Sequence, residues 1–153
     1  MAYEAPVQPK LRLSSFKVSK LNFELDKILW EAEETDETEF NIQFTHIFKT
    51  DDPAYFAIIF AINIFDKEDN FRCNFDFIGH FEVQGENITQ DTLRTNPFFR
   101  VSAPAIVFPF IRSFVSTLTM GFGFKPLILP SINFSESYWK EETVSEIQNS
   151  TNK

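Results

Sequence analysis

The sequence predicts an α+β fold: a four-stranded antiparallel sheet followed by two C-terminal helices. Three observations predict it. Through the first half of the chain, apolar and polar residues alternate at the period of two that marks a half-buried strand. The runs are joined by polar turns, Asp51-Asp52-Pro53 and Asp66-Lys67-Glu68-Asp69-Asn70, far shorter than a parallel crossover requires. In the last third the spacing lengthens to three and four, the period of an amphipathic helix. Strands first and helices afterwards set this order apart from the alternation of α/β proteins.

Met1–Lys10 holds two prolines and no period, as a loose terminus does. The first strand begins at Leu11, and its phase changes twice. Leu11 and Leu13 share one face, Phe16 and Val18 the other, and Leu21, Phe23 and Leu25 the first again. A one-residue bulge at each change would keep one face apolar; coverage of both faces in places is the alternative. Asp26–Thr38 interrupts the strands with the small cluster Ile28, Leu29 and Trp30. Six acids follow within nine residues, Glu31, Glu33, Glu34, Asp36, Glu37 and Glu39, which repel one another and stay hydrated. The segment 31–39 therefore reads as an acidic loop.

Glu39–Lys49 alternates cleanly, with Phe40, Ile42, Phe44, His46 and Phe48 on one face. Tyr55–Phe65 is apolar on both faces, which suggests a central strand covered on both sides. Phe71–Val83 alternates again, with Phe71, Cys73, Phe75, Phe77, Gly79, Phe81 and Val83 on the apolar side. The helical stripe is Ile106, Val107, Phe110, Ile111, Phe114, Val115 and Leu118. Pro97 and Pro104 both suit a helix start, capped by Asn96 or Ser102. Pro109 removes a backbone donor inside the stripe, so a kink or a start near Ala103 is expected. Gly121 and Gly123 end the helix. Phe124–Pro130 reads as an extended connector. A second helix starting near Asn133 or Ser135 would place Phe134, Tyr138 and Trp139 on one face. The whole chain of 153 residues is one domain, with an ordered core of about 11–140 and a polar tail at 145–153.

The net charge of −8 argues against nucleic acid as a partner, because phosphates call for basic residues. One cysteine excludes an internal disulfide framework and a multi-cysteine zinc site. The longest uncharged stretches, Val101–Ile111 and Ser113–Phe124, are divided by Arg112 and fall short of the ~18 residues of a span. Met1–Lys10 has no apolar run of the signal-peptide kind. A cytoplasmic protein without membrane insertion is expected. Catalysis has little to work with. His46 lies on an apolar face as a core histidine would, His80 lies on a polar one, and Cys73 sits among phenylalanines rather than in an electropositive setting. The four glycines form no phosphate loop, and no cofactor or metal is expected. The chain reads as a non-enzyme. Its 20 phenylalanines fit a Phe-filled core, or, where a small domain cannot hide so many rings, an oligomer interface or an apolar groove; composition alone does not separate the two.

The most specific stretch is Pro104–Phe134: Pro104-x-x-x-Phe108-Pro109-x-x-Arg112, then Phe124-x-x-Leu127-x-Leu129, then Asn133-Phe134. It resembles the SecB family of protein-export chaperones, whose first long helix and connector carry these residues at this spacing. Asn22-Phe23-Glu24 and Phe71-x-Cys73 are similar to the end of that family's first strand and the start of its fourth. The likeness runs from about Leu11 to Trp139. The chain departs from it at Gly121-Phe122-Gly123-Phe124-Lys125-Pro126, where the proline has slid by one position.

The resemblance implies a homotetramer, a dimer of dimers, with Phe110 and Phe114 of the long helix at the interface. It implies that unfolded client polypeptides are held, without nucleotide, in a groove lined by Trp30, Phe40, Ile42, Phe44, Phe124, Phe134, Tyr138 and Trp139. The family meets the SecA motor through an acidic patch on the outer sheet. Glu24 matches one of its acids, whereas Lys20, Arg72 and Asn74 stand where the patch has an acid, a leucine and another acid. Three functions follow from different classes. One is an ATP-independent holdase for export, and another is a SecB-like chaperone dedicated to one antitoxin or envelope protein without SecA coupling. The third is a carrier of a small apolar ligand.

Overall fold

The computed structural model describes residues 9–25 and 37–135. Four strands, β1 (Lys10–Leu25), β2 (Thr38–Phe48), β3 (Tyr55–Asp66) and β4 (Phe71–Gln84), precede a short helix α1 (Gln90–Thr95) and a long one, α2 (Pro97–Gly121). They form one antiparallel sheet in the order β1-β4-β3-β2, so β1 and β2 are its edges. Asn70 closes the β3–β4 turn at φ 52°, a left-handed conformation that asparagine tolerates better than most residues.

The two phase changes in β1 are bulges. Its register against β4 slips between Leu13 and Ser15 and again between Val18 and Lys20. Each slip adds one residue, so Leu11, Leu13, Phe16, Val18, Leu21, Phe23 and Leu25 all stay on one face, opposite the apolar row of β4. The extra Ser14 donates its hydroxyl to the carbonyl of His80 at 3.0 Å. Across the sheet the same face continues through Phe77, Phe60 and Phe44, which are register partners on β4, β3 and β2.

Helix α2 lies on this inner face. Phe99, Ala103, Val107, Ile111 and Val115, at helical spacing, are buried against the sheet. The approach is close at Gly79, where an added Cβ would stand 2.7 Å from Val107 Cγ2. Glycine is needed there for room, since its backbone φ is ordinary.

The helix starts at Pro97, with the Asn96 side chain accepting from the Phe98 amide at 2.9 Å. The alternative start near Ala103, with Ser102 as cap, is not used: Pro104 and Pro109 both lie inside a helix of 25 residues. Each ring deprives the carbonyl four residues earlier, at Arg100 or Ala105, of its helical donor. Ala105 and Pro109 are on the exposed side, where water can serve that carbonyl. The helix also runs through Arg112, so it is long and apolar enough to cross a membrane by length and composition. Its sheet-facing residues are nevertheless in the protein core. The chain leaves it at Gly123, φ 91°, whose amide donates to the Met120 carbonyl.

The four-stranded antiparallel sheet followed by two helices is as expected; one detail of the sheet is corrected and one helix is new. The outer face of β3 (Ala57, Ile59, Ala61 and Phe65) is only half-buried, because α2 and the connector both lie on the inner face. The first of the two helices is α1, capped by Thr89, and it had no counterpart in the sequence reading. Residues 124–135 are non-helical, and the remainder of the expected helix with Tyr138 and Trp139 lies outside the described residues.

Candidate functional site

The inner face of edge strand β2 presents Phe40, Ile42, Phe44, His46 and Phe48 in alternation, and the connector after α2 crosses in front of it. Three hydrogen bonds tie the connector to the helix. The Phe124 amide donates to the Thr119 carbonyl at 3.0 Å, the Leu127 amide to Thr119 Oγ1 at 2.9 Å, and Arg112 Nε to the Leu129 carbonyl at 2.9 Å. Thr119 is buried, and its hydroxyl in turn donates to the Val115 carbonyl at 2.9 Å. A segment without helix or strand is thus held by two side chains of α2, Thr119 in its last turn and Arg112 nine residues before its end, together with the Thr119 carbonyl.

The connector begins and ends in different aromatic clusters. Phe124 packs at the β1–β4 side, 5.0 Å from Phe71 and 5.7 Å from Phe23 between ring centroids. Phe134 packs at the β2–β3 side, edge-on to Phe44 (5.7 Å), Phe60 (6.1 Å) and Phe108 (5.4 Å). Such edge-to-face contacts suit the positive rim and negative face of the rings.

Of the residues expected to line a groove, Ile42, Phe44 and Phe134 come together as packed core, each under a tenth exposed. Phe124 belongs to the other cluster. Phe40, two residues from Ile42 on the same face, is 40% exposed on this edge strand. Trp30, Tyr138 and Trp139 lie outside the described residues. Phe110 is exposed on α2 and touches Phe16 at 5.0 Å, whereas Phe114 is half-buried against Phe75 and Phe77. Phe108, Arg112 and Thr119 shape this face without being among the residues expected to line it. The spacing of Phe108 and Arg112, one helical turn apart, was the available signal that both serve one element.

Burial shifts two titratable groups near this face, His46 and Cys73, toward their neutral forms. Burial drives His46 down to about 4, against a hydrogen bond with the Phe99 backbone that works in the other direction. The charge of Arg100 lowers it further. Its ring contacts Phe44, Phe48 and Phe56, and Nε2 is buried with no hydrogen-bond partner. Burial pushes the Cys73 thiol up to about 11, so it stays protonated at neutral pH. Among the described residues, no group of three or more His, Cys, Asp and Glu could hold a metal ion. What this face offers is apolar contact.

On the outer face, Glu24 stands opposite Arg72 and Asn22 opposite Asn74, while Lys20 stands opposite Asp76. The Arg72 guanidinium lies over the Phe65 ring at 4.2 Å. An open cleft of about 690 Å³ lies at the β1 edge, between Lys10–Arg12 and Phe98, Ser102 and Ile106 of α2. None of the expected groove residues lines it.

Comparison with known proteins agrees with this architecture. The family described as preprotein translocase subunit SecB matches residues 4–145. An uncharacterized protein of Methanocaldococcus jannaschii is 29% identical over 147 residues, 94% of this chain and 92% of its own. The protein-export protein SecB of Neorickettsia sennetsu is 40% identical over 68 residues, which is 44% of this chain and 39% of that one. Among solved structures, the SecB-like chaperone Rv1957 of Mycobacterium tuberculosis, in complex with a ChAD peptide from the HigA1 antitoxin, has a TM-score of 0.63 at 12% identity. That likeness covers 80% of this chain and 87% of the other, and it concerns the fold.

Proposed function

Because the chain belongs to the SecB family, we propose that it is a holdase chaperone of the cytoplasm that binds unfolded polypeptides on the aromatic inner face, without nucleotide, in support of protein export. The observation that carries this reading is the exposed Phe40 beside the ring cluster of Phe44, Phe60, Phe108 and Phe134. An extended client laid along edge strand β2 would hydrogen-bond to its open backbone side and set apolar side chains against Phe40. Displacement of Phe134 from its cradle would extend the apolar wall to Ile42 and Phe44. Trp30, Phe124, Tyr138 and Trp139 complete the proposed lining. The acidic chain favours cationic clients and keeps the apolar face soluble.

The assembly we propose is a homotetramer in which the outward side of α2, with Phe98, Phe110 and Met120 exposed, meets another copy. A second reading, a chaperone dedicated to one partner, is favoured by the outer face. Glu24 retains one acid of the family's SecA contact, but Lys20, Arg72 and Asn74 surround it with positive and neutral groups. The solved SecB-like relative that holds an antitoxin peptide supports the same reading.

Suppression of the aggregation of a reduced, unfolded client tests the site. Phe40→Ser weakens suppression, since truncating an aromatic at a binding hot spot costs about 2 kcal/mol, roughly thirtyfold in affinity. Glu86→Ala, in the exposed turn after β4, leaves it unchanged. Equal activity of the two variants would remove Phe40 from the client site.

A further inference from the structure

We propose that the outer face of the sheet, turned away from α2, docks an acidic amphipathic segment of a partner protein. This goes beyond the holdase reading, since the surface is the one opposite the proposed client site. The chain carries a net charge of −8, yet β1 collects Lys10, Arg12, Lys17 and Lys20, all exposed, against one acid, Glu24. The alternation that turns Leu11, Leu13, Phe16 and Val18 toward α2 sends these four cations to the other side. The bulges at Ser14 and Ser19 keep them there. Arg12 approaches Glu82 at 3.8 Å with 74% of its side chain exposed, a pairing of little energetic weight. Lys10, Lys17 and Lys20 form no ion pair among the described residues.

Apolar surface adjoins this cationic edge. Lys17 stands opposite Ile78 of β4, which stands opposite Ile59 of β3, and Ala57 and Ala61 flank Ile59. All four apolar residues are half-buried. Positive charge along one border of a shallow apolar field is complementary to a segment with an apolar side and an acidic border. Complementary charge of this kind speeds encounter and rejects partners of the wrong sign. An anionic bilayer fits less well. Glu24, Asp76 and Glu82 share the face with the lysines, and the chain as a whole is repelled by a negative plane. A discrete segment can set its carboxylates on β1 alone.

Fluorescence anisotropy of labelled short peptides with the full-length protein tests this. A peptide of alternating Leu and Glu should bind, its Leu and Lys counterpart should not, and raising salt from about 0.05 to 0.3 M should weaken binding as charges are screened. The double substitution Lys17→Glu with Lys20→Glu should weaken the acidic peptide roughly tenfold, two attractions being lost and two repulsions gained. The neutral pair Lys17→Gln with Lys20→Gln should fall between. Neither pair should alter suppression of client aggregation, whereas Phe40→Ser should reduce suppression and leave acidic-peptide binding intact. Equal binding of both peptides, no effect of the lysine changes, or loss of acidic-peptide binding in Phe40→Ser would overturn the proposal. So would capture of the protein by phosphatidylserine vesicles without binding of the acidic peptide. Failure of the parent to suppress aggregation would overturn the holdase reading alone.

Discussion

His46 should make the protein acid-sensitive in a window that a single substitution removes. Its imidazole is buried between the sheet and the start of α2, and burial lowers it from 6.5 to about 4. Between those values the unfolded chain binds a proton at this residue that the folded chain refuses. Stability therefore falls as pH falls, beginning near 6.5 and levelling off below about 4. The full difference, at about 1.36 kcal/mol per pH unit, is on the order of 3 kcal/mol, and about 2 kcal/mol of it is already lost at pH 5. His46→Phe keeps an aromatic ring among Phe44, Phe48 and Phe56 and removes the buried Nε2 that lacks a partner. Urea denaturation of parent and variant at one protein concentration, at pH 7.5 and 5, measures the contribution as a difference. The two proteins differ at this one residue, so the difference between them isolates its contribution. The parent should lose about 2 kcal/mol more than the variant on acidification. Equal losses would mean that the ring accepts a proton in place, and the account of its burial would be wrong.

Three further outcomes are expected. Gly79→Ala should destabilise the chain by about 1–3 kcal/mol in the same denaturation assay, because the new methyl meets Val107; Val107→Ala in the same chain should recover part of that loss. Light scattering at micromolar concentration should give about four times the 17.8 kDa chain mass, and Phe110→Glu should lower it by placing an unpaired carboxylate in the interface. Arg112→Ala should speed hydrogen exchange across 127–131 while the amides of β3 and β4 keep their protection, since the lost bond to Leu129 anchors only the connector.

What the sequence could reveal was set by the range of the interactions involved. The bulges in β1 were legible because a period of two cannot be broken without consequence: each phase slip either adds a residue or turns Phe16 and Val18 into water. The start of α2 was not. A proline inside a helix has a local cost that sequence can assess, but the compensation at Ala105, a carbonyl on the exposed side, depends on which way the helix faces the sheet. Short α1 lacked an apolar stripe. Only Leu93 is buried in it, so its signal was a cap and little else.

The candidate site divides along the same line. Phe40 and Phe44 are equivalent in any alternation pattern, since both are β2 residues of one face. One is 40% exposed and the other 7%, the second being covered by Phe134 of the connector. That course is fixed by Arg112 and Thr119, which reach across to Leu129 and Leu127. The ring cradle is therefore a property of the tether as much as of the rings. At the proposed site, a client competing for Phe44 would have to displace Phe134, which is held by its packing on Phe44, Phe60 and Phe108 and by the hydrogen bonds that tie the connector to α2. Phe40 would need no such displacement, so under the proposed function the end of β2 that carries it is where a client would engage first.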